Sequence, residues 1–90
     1  MYKPKSEKDR ILHRLKISRG HLDKVIEMME KGAYCIDVLH QSQAVQKALS
    51  ETDHLILENH LNTCVVDAIK EGKTNKVISE IMAVIQKNKV

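Results

Sequence analysis

The chain has 90 residues, two cysteines, five histidines, no Phe or Trp and a formal net charge of +3. This is the length of one small domain, and a purely aliphatic core favours burial between subunits over a stable monomer. No apolar segment is long enough for a membrane span or has the pattern of a secretory signal, so we expect a cytoplasmic protein without a membrane partner. In that compartment thiols stay reduced, and two cysteines favour metal binding or redox chemistry over a structural disulfide.

The first predicted helix follows a flexible leader of residues 1–5. Ser6 has the side chain of an N-cap, and Gly32 has the backbone freedom that ends helices. We interpret the methionines within and beyond this helix as packing residues rather than thioether ligands. The apolar positions of the helix recur at helical spacing; they are Ile11, Leu15, Leu22, Val25 or Ile26, and Met29. Met28 and Met82 also lie on apolar stripes.

The second predicted helix is unusually long. From about residue 33 to residue 71 the sequence has no Gly or Pro, and Gly72 then ends the helix. One short partner cannot cover a helix of this length, so we expect a second copy to lie antiparallel across it. The small side chains of Ala44 and Ala48 lie near the expected crossing point and allow a close approach.

A third, amphipathic helix is predicted after Thr74 or Asn75, either of which can cap it. No segment alternates between apolar and polar residues as a strand does. The fold class is therefore predicted to be all-α, with a three-helix protomer that forms a single domain over residues 1–90. The very long second helix is predicted to pair in an antiparallel dimer.

Cys35, His60 and Cys64 lie on one stripe of the second predicted helix. His60 and Cys64 are one turn apart, and Cys35, about 25 residues before His60, points within roughly 20° of it. The same helix separates Cys35 from His60 by on the order of 37 Å, so the two cannot meet within one chain. In an antiparallel dimer, Cys35 of one protomer meets His60 and Cys64 of the other, and two-fold symmetry creates the site twice. The pattern predicts a metal site assembled by dimerisation.

The donor set by itself leaves the metal open. Two thiolates and an imidazole suit Cu(I) in trigonal coordination, whereas Zn(II) or Ni(II) requires at least one further ligand. The plainer alternative is that the two cysteines are small packing residues and His60 is a surface residue. Cys35 and His60 also have the chemistry of a nucleophile and a base, but the sequence supplies no substrate pocket, cofactor loop or oxyanion hole. We therefore expect no enzyme activity.

Basic residues cluster towards the N-terminus and form either an ordinary solvated face or a phosphate-binding surface. The sequence has no helix-turn-helix spacing, zinc-finger repeat or aromatic stacking set, so any DNA contact would use another geometry. The cluster consists of Lys3, Lys5, Lys8, Arg10, Arg14, Lys16 and Arg19.

Four stretches carry a family resemblance: residues 14–16 (RLK) with 19–22 (RGHL), 34–39 (YCIDVL), 44–45 (AV) with 48–49 (AL), and 58–61 (ENHL) with 64–65 (CV). Together they resemble the CsoR/RcnR family of metal-sensing transcriptional repressors, most closely its copper-sensing CsoR branch. The resemblance covers nearly the whole chain, and the Cys, His, Cys trio within that frame is specific.

The resemblance implies a three-helix protomer that forms a dimer and then a disc-shaped homotetramer. The apo protein would bind operator DNA, and metal binding across the dimer interface would weaken that binding and derepress copper-efflux genes. By the same resemblance, Cys35, His60 and Cys64 are Cu(I) ligands. Tyr34 and Glu80 stand where the copper branch has residues that hydrogen-bond with the ligating histidine and couple the metal to conformation.

The resemblance also points to residues that contact DNA. Arg14 matches a basic residue implicated in DNA contact within the family, and Lys16 and Arg19 are candidates by charge alone. Asp23 and Glu51 fall where relatives often have basic residues, so we expect a narrower DNA surface that depends more on the N-terminal lysines.

The ligand set separates the branches of the family. Nickel and cobalt sensors use a histidine near the N-terminus, where this chain has Lys3, and formaldehyde sensors have a proline at the position of Tyr2 and usually lack the second cysteine, here Cys64. Persulfide sensors lack the histidine present here as His60. The resemblance therefore implies copper. The alternatives are a thiol-, persulfide-, Ni- or Zn-responsive repressor and, from another class, a helical metal-buffering or scaffold protein that binds no DNA.

Overall fold

The computed structural model describes residues 6–87, and the predicted leader at residues 1–5 lies outside this range. No strand occurs in the described range, and the helical architecture confirms the all-α fold class. The elements in chain order are α1 (Glu7–Glu30), α2 (Cys35–His60), a π-helical segment (Leu61–Val65), α3 (Val66–Lys70) and α4 (Thr74–Lys87).

The predicted long helix corresponds to α2, the π-helical segment and α3, which follow one another without interruption. The backbone stays in the right-handed helical region at both junctions, with φ −62° and ψ −43° at His60 and φ −69° and ψ −44° at Val65. The helix predicted over residues 33–71 is thus confirmed, with its ends at residues 35 and 70. The π turn within it was not predicted.

The two ends of α1 follow the predicted capping chemistry. The Ser6 side chain accepts a hydrogen bond from the backbone N–H of Asp9 at 3.1 Å, as an N-cap does. Gly32 has φ +71° and donates to the carbonyl oxygen of Met29 at 3.2 Å, while the N–H of Ala33 donates to that of Met28 at 3.0 Å. This pair of bonds is a Schellman motif, which requires the left-handed conformation that glycine adopts without strain.

Helix α4 begins one position earlier than predicted. Gly72, at φ +79°, ends α3 with the same pair of backbone hydrogen bonds. The N–H of Val77 then donates to the carbonyl oxygen of Lys73 at 3.3 Å, so Lys73 occupies the cap position. The prediction of Thr74 or Asn75 as the cap is wrong, because the Schellman turn leads directly into the helix.

Little of the apolar surface is buried within one chain. Met29 and Met82, which were predicted to be packing residues, are not buried within the chain: Met29 is 70% exposed and Met82 is 48% exposed. Leu22 on α1 and Leu39 on α2 are also about half exposed. A surface with this many large exposed aliphatic side chains is typical of a protein interface. Among the described residues, the buried apolar side chains are Val25, Val45, Val65 and Val77.

The chain divides into two compact units, one ending at Ile56 and the other starting at Leu57. In the first unit, α1 and α2 are joined by a hydrogen-bonding contact of 2.8 Å between His21 Nε2 and Gln41 Oε1. In the second unit, α3 contacts α4. The single-domain organisation over residues 1–90 stays a prediction. None of the helices in residues 6–87 combines the length and apolarity needed to cross a membrane.

Candidate metal centre and DNA-contacting residues

Cys35 is the first residue of α2, just after the turn that Gly32 makes. The carbonyl oxygen of Tyr34 accepts the first backbone hydrogen bond of the helix, from the N–H of Val38 at 3.1 Å. The Cys35 thiol is free and exposed, and Tyr34 is 68% exposed. The turn therefore presents a thiol and a phenol at adjacent positions on the surface of the first unit.

His60 and Cys64 lie at the other end of this long helix, in the second unit. His60 is the last residue of α2, and Cys64 lies in the π-helical segment. A π turn contains about one residue more than an α turn, so a residue four positions on returns to the same side of the helix. Both side chains line one cleft of about 210 Å³, with His60 half-buried and the Cys64 thiol free and exposed. The structure brings these two predicted ligands together.

Thr63 is the polar neighbour of the Cys64 thiol. Its hydroxyl donates to the carbonyl oxygen of Asn59 at 2.7 Å and lies 3.7 Å from Cys64 Sγ. Threonine hydroxyls that bond back to a carbonyl one turn earlier often bend helices, and π turns are frequent at functional sites. The departure from α-helical geometry therefore occurs at the segment that carries a predicted ligand.

Glu80 on α4 lies beside His60. It lines the cleft that contains His60 and Cys64, and it shares with His60 a second cleft of about 170 Å³. No hydrogen bond joins Glu80 to His60 in the part of the chain that the structure describes. A residue that orients a ligating imidazole does so through a hydrogen bond, so this role of Glu80 stays a prediction. The corresponding role of Tyr34, which lies in the first unit, stays a prediction.

Four charged residues that were not predicted from the sequence line the cleft of His60 and Cys64. Asp67 and Glu71 continue the stripe of His60 and Cys64 at helical spacing, which is the signal that could have identified them. Lys76 lies in the first turn of α4, and Lys73 lies just before that helix. Lys73 Nζ is 3.3 Å from Glu71 Oε2. All four line the cleft, so its rim carries charges of both signs.

The predicted metal ligands do not form a cluster within the part of the chain that the structure describes. Within residues 6–87, no group of three or more His, Cys, Asp or Glu side chains is arranged to hold a metal ion. His60 and Cys64 supply two soft donors, and the free thiol of Cys35 is a third. Two thiolates and an imidazole are a donor set that fits Cu(I).

The three candidate DNA-binding residues lie on two faces of α1. Arg14, Lys16 and Arg19 are all exposed. At 100° per residue, Arg14 points roughly 140° away from Arg19, whereas Lys16 and Arg19 are within roughly 60° of each other. Arg14 lines a cleft of about 300 Å³ and Arg19 lines a different one of about 170 Å³. A single face of this helix therefore does not present all three cations.

The cleft at Arg14 also contains an acidic residue. Glu51 on α2 lines it, together with the buried polar side chains of Ser18 and Thr52. The Thr52 hydroxyl donates to the carbonyl oxygen of Ala48 at 2.9 Å. The sequence identified Glu51 as a departure from the family pattern, but its position beside Arg14 depends on how α1 and α2 pack, which spacing along one helix does not reveal.

Residues 7–87 match the family model described as metal-sensitive transcriptional repressor, so the chain belongs to this family. The match confirms the resemblance to the CsoR/RcnR family. It also agrees with the expectation that the chain is not an enzyme, because the family consists of transcriptional repressors.

Curated relatives and a solved structure point to the copper branch of the family. The chain is 43% identical over 75 residues to the copper-sensing transcriptional repressor CsoR of Mycobacterium ulcerans, covering 83% of this chain and 64% of that protein. It is 41% identical over 86 residues to CsoR of Bacillus subtilis, covering 96% and 85%. The crystal structure of the copper-sensing repressor CsoR with Cu(I) from Geobacillus thermodenitrificans matches with a TM-score of 0.86 and 39% identity, covering 97% of this chain and 91% of that one.

Proposed function

We propose that this chain is a Cu(I)-responsive transcriptional repressor that acts in the cytoplasm as a homodimer or disc-shaped homotetramer. The apo protein binds operator DNA. Cu(I) binds at Cys35 of one protomer and at His60 and Cys64 of the other, which lowers the affinity for the operator and derepresses copper-efflux genes.

The observation that carries this proposal is the shared cleft of His60 and Cys64, with Cys35 at the opposite end of α2. Two soft donors are already adjacent, and the third is a free, exposed thiol. An antiparallel second copy supplies that thiol without any change in the helix. Relatives named as copper-sensing transcriptional repressors support copper as the metal and repression of transcription as the function.

Cu(I), when bound, supplies a soft cation whose shell is complete with three such ligands. Residues of the chain orient the ligands and link the metal site to operator binding. Glu80, which lines a cleft with His60, then accepts a hydrogen bond from the second ring N–H of His60 and fixes the orientation of the imidazole. Operator release requires that the metal binds the DNA-competent conformation less tightly than the released one.

The test is an anaerobic Cu(I) titration of the reduced protein bound to labelled DNA from upstream of its gene, followed by fluorescence anisotropy. We expect release near one Cu(I) per protomer and a fall in operator affinity of about 5- to 150-fold, the usual range of allosteric coupling. Zn(II) and Ni(II) should leave the complex intact. DNA binding that responds to Zn(II) or Ni(II) instead would contradict the choice of copper, and no DNA binding would favour a metal-buffering or scaffold role.

A pair of histidine variants supplies the matched control. His60→Ala should bind the operator but lose the response to Cu(I), whereas His54→Ala should keep both, because His54 has no cysteine at ligand spacing. Cys35→Ala should behave as His60→Ala does. If the Cys35→Ala variant still releases the operator in response to Cu(I), the proposed metal site is wrong.

A second candidate function is sensing by thiol chemistry, and the free, exposed state of both cysteines favours it. Polysulfide would oxidise Cys35 of one protomer and Cys64 of the other by two electrons and join them through a disulfide or polysulfide bridge, while part of its sulfur is reduced to sulfide and leaves. Mass spectrometry after polysulfide treatment separates the two candidates. A bridged dimer that releases DNA would favour thiol sensing, and unmodified cysteines with Cu(I)-dependent release would favour copper.

A further inference from the structure

We propose that Glu51 lowers the affinity of this protein for DNA by competing with phosphate for Arg14. This inference rests on the proposed function, because it concerns the residues that bind the operator. It names an acidic residue of the chain itself as a determinant of how tightly the repressor holds DNA.

The first step is the geometry of the cleft between α1 and α2. Arg14 and Glu51 line the same opening of about 300 Å³, and both side chains are exposed. Ser18 and Thr52 line the same cleft and are 4% and 1% exposed. The small polar side chains are thus buried, whereas the long charged side chains of Arg14 and Glu51 are exposed at the same opening.

Arg14 and Glu51 carry opposite charges at this cleft. Neither Arg14 nor Glu51 has an ion-pair partner within 4 Å among residues 6–87, so each is available for a new one. An arginine side chain is long and its guanidinium binds carboxylate and phosphate with the same geometry. A phosphate that approaches Arg14 therefore meets a nearby carboxylate that repels it and that offers Arg14 an alternative partner.

The third step is the size of the effect. Exposed ion pairs contribute little, so Glu51 attenuates the contact without abolishing it. Replacing Glu51 by Gln keeps the helix propensity of the site and removes only the charge. We expect Glu51→Gln to tighten DNA binding roughly two- to fivefold, the fold-change that an exposed pair typically provides.

The experiment measures binding of the reduced apo protein to labelled upstream DNA and to an unrelated duplex of the same length, at several salt concentrations. Glu51→Gln should bind both duplexes more tightly. It should also show a steeper salt dependence, by up to about 0.9 in the log–log slope for each phosphate newly bound. The gain should vanish in the Arg14→Ala background, because Glu51 acts through Arg14.

The matched control is Glu30→Gln, which removes the same charge from an exposed glutamate of α1 that does not line the cleft. A gain of equal size in Glu30→Gln, a gain that persists without Arg14, or unchanged binding by Glu51→Gln would each overturn the inference while leaving the repressor function intact. If the unsubstituted protein binds neither duplex, the proposed function fails and the inference fails with it.

Discussion

Among individual residues, Glu80 is the one whose position suggests a link between the metal site and the rest of the molecule. It lines two clefts with His60 and lies on α4, whereas His60 ends α2. A carboxylate that holds the ring of a ligating histidine transmits the position of that ring to its own helix. If Cu(I) binds at His60 as proposed, Glu80 would in this way bias the placement of α4.

This role predicts the behaviour of Glu80→Gln. The amide keeps the shape of the side chain but is a weaker acceptor, so we expect Cu(I) to bind while the Cu(I)-induced fall in operator affinity shrinks by about tenfold, as is common for residues that support metal ligands. Cu(I) affinity is measured by competition with a chromophoric chelator and operator affinity by anisotropy. Glu71→Gln is the control, because Glu71 lines only one of the two clefts and pairs with Lys73. Full release by Glu80→Gln would exclude the role.

Arg14 allows a second prediction at the level of single residues. Arg14→Ala should weaken operator binding and lower the salt-dependence slope by about 0.9 for each phosphate that the variant no longer neutralises, with Cu(I) affinity unchanged. Lys24→Ala, which removes an exposed cation of α1 outside the candidate set, should change the slope less. Equal slopes for Arg14→Ala and the unsubstituted protein, measured by anisotropy from low to moderate salt, would remove Arg14 from the DNA surface.

At the scale of elements, the glycines determine where the helices end. Gly72 and Gly32 have φ of +79° and +71°, a region in which a Cβ costs about 1–2 kcal/mol. Gly20 lies inside α1, and apart from its neighbours and the backbone of its own helix no atom lies within 4 Å of the position a Cβ would take. A glycine inside a helix costs roughly 0.5–1 kcal/mol relative to alanine. The same substitution therefore has opposite effects at the two kinds of site.

We accordingly expect Gly72→Ala and Gly32→Ala to lower the thermal midpoint and Gly20→Ala to raise it. Circular dichroism at one fixed protein concentration checks this, because association also shifts the midpoint. Stabilisation by Gly72→Ala would show that the turn after α3 does not need a left-handed residue.

The helix boundaries were predictable from the sequence, whereas the π turn and the packing of helices were not. Ser6, Gly32 and Gly72 were correctly predicted as helix boundaries, because caps and left-handed turns depend on one residue and its immediate neighbours. The π turn at residues 61–65 was not predicted, since it changes the hydrogen-bonding pattern without any Gly or Pro to mark it. The presence of Arg14 and Glu51 in one cleft was missed for a different reason, because it depends on the packing of two helices.

For the whole molecule, the central fact is the small amount of apolar surface that one chain buries. Four buried valines form the apolar core of the described residues, while Leu39 is 49% exposed and Ile56 is 43% exposed. Leu39 lies one turn after Cys35, within roughly 40° of its direction on α2. In the first unit, the face of α2 that carries Cys35 thus also carries a half-exposed apolar side chain.

If that face pairs with a second copy, dimerisation and metal binding must be lost together. Leu39→Glu places a charge on the paired face, and burying an unpaired carboxylate there is strongly unfavourable. We expect this variant to sediment as a smaller species and to bind Cu(I) more weakly, since Cys35 no longer meets His60 and Cys64 of a second protomer. His40→Glu is the control: it places the same side chain at the next position, roughly 140° from Cys35, where the helix points away from the stripe. Analytical ultracentrifugation measures the oligomeric state, and competition with a chelator measures the Cu(I) affinity. A monomeric Leu39→Glu variant that keeps full Cu(I) affinity would show that one chain completes the site alone.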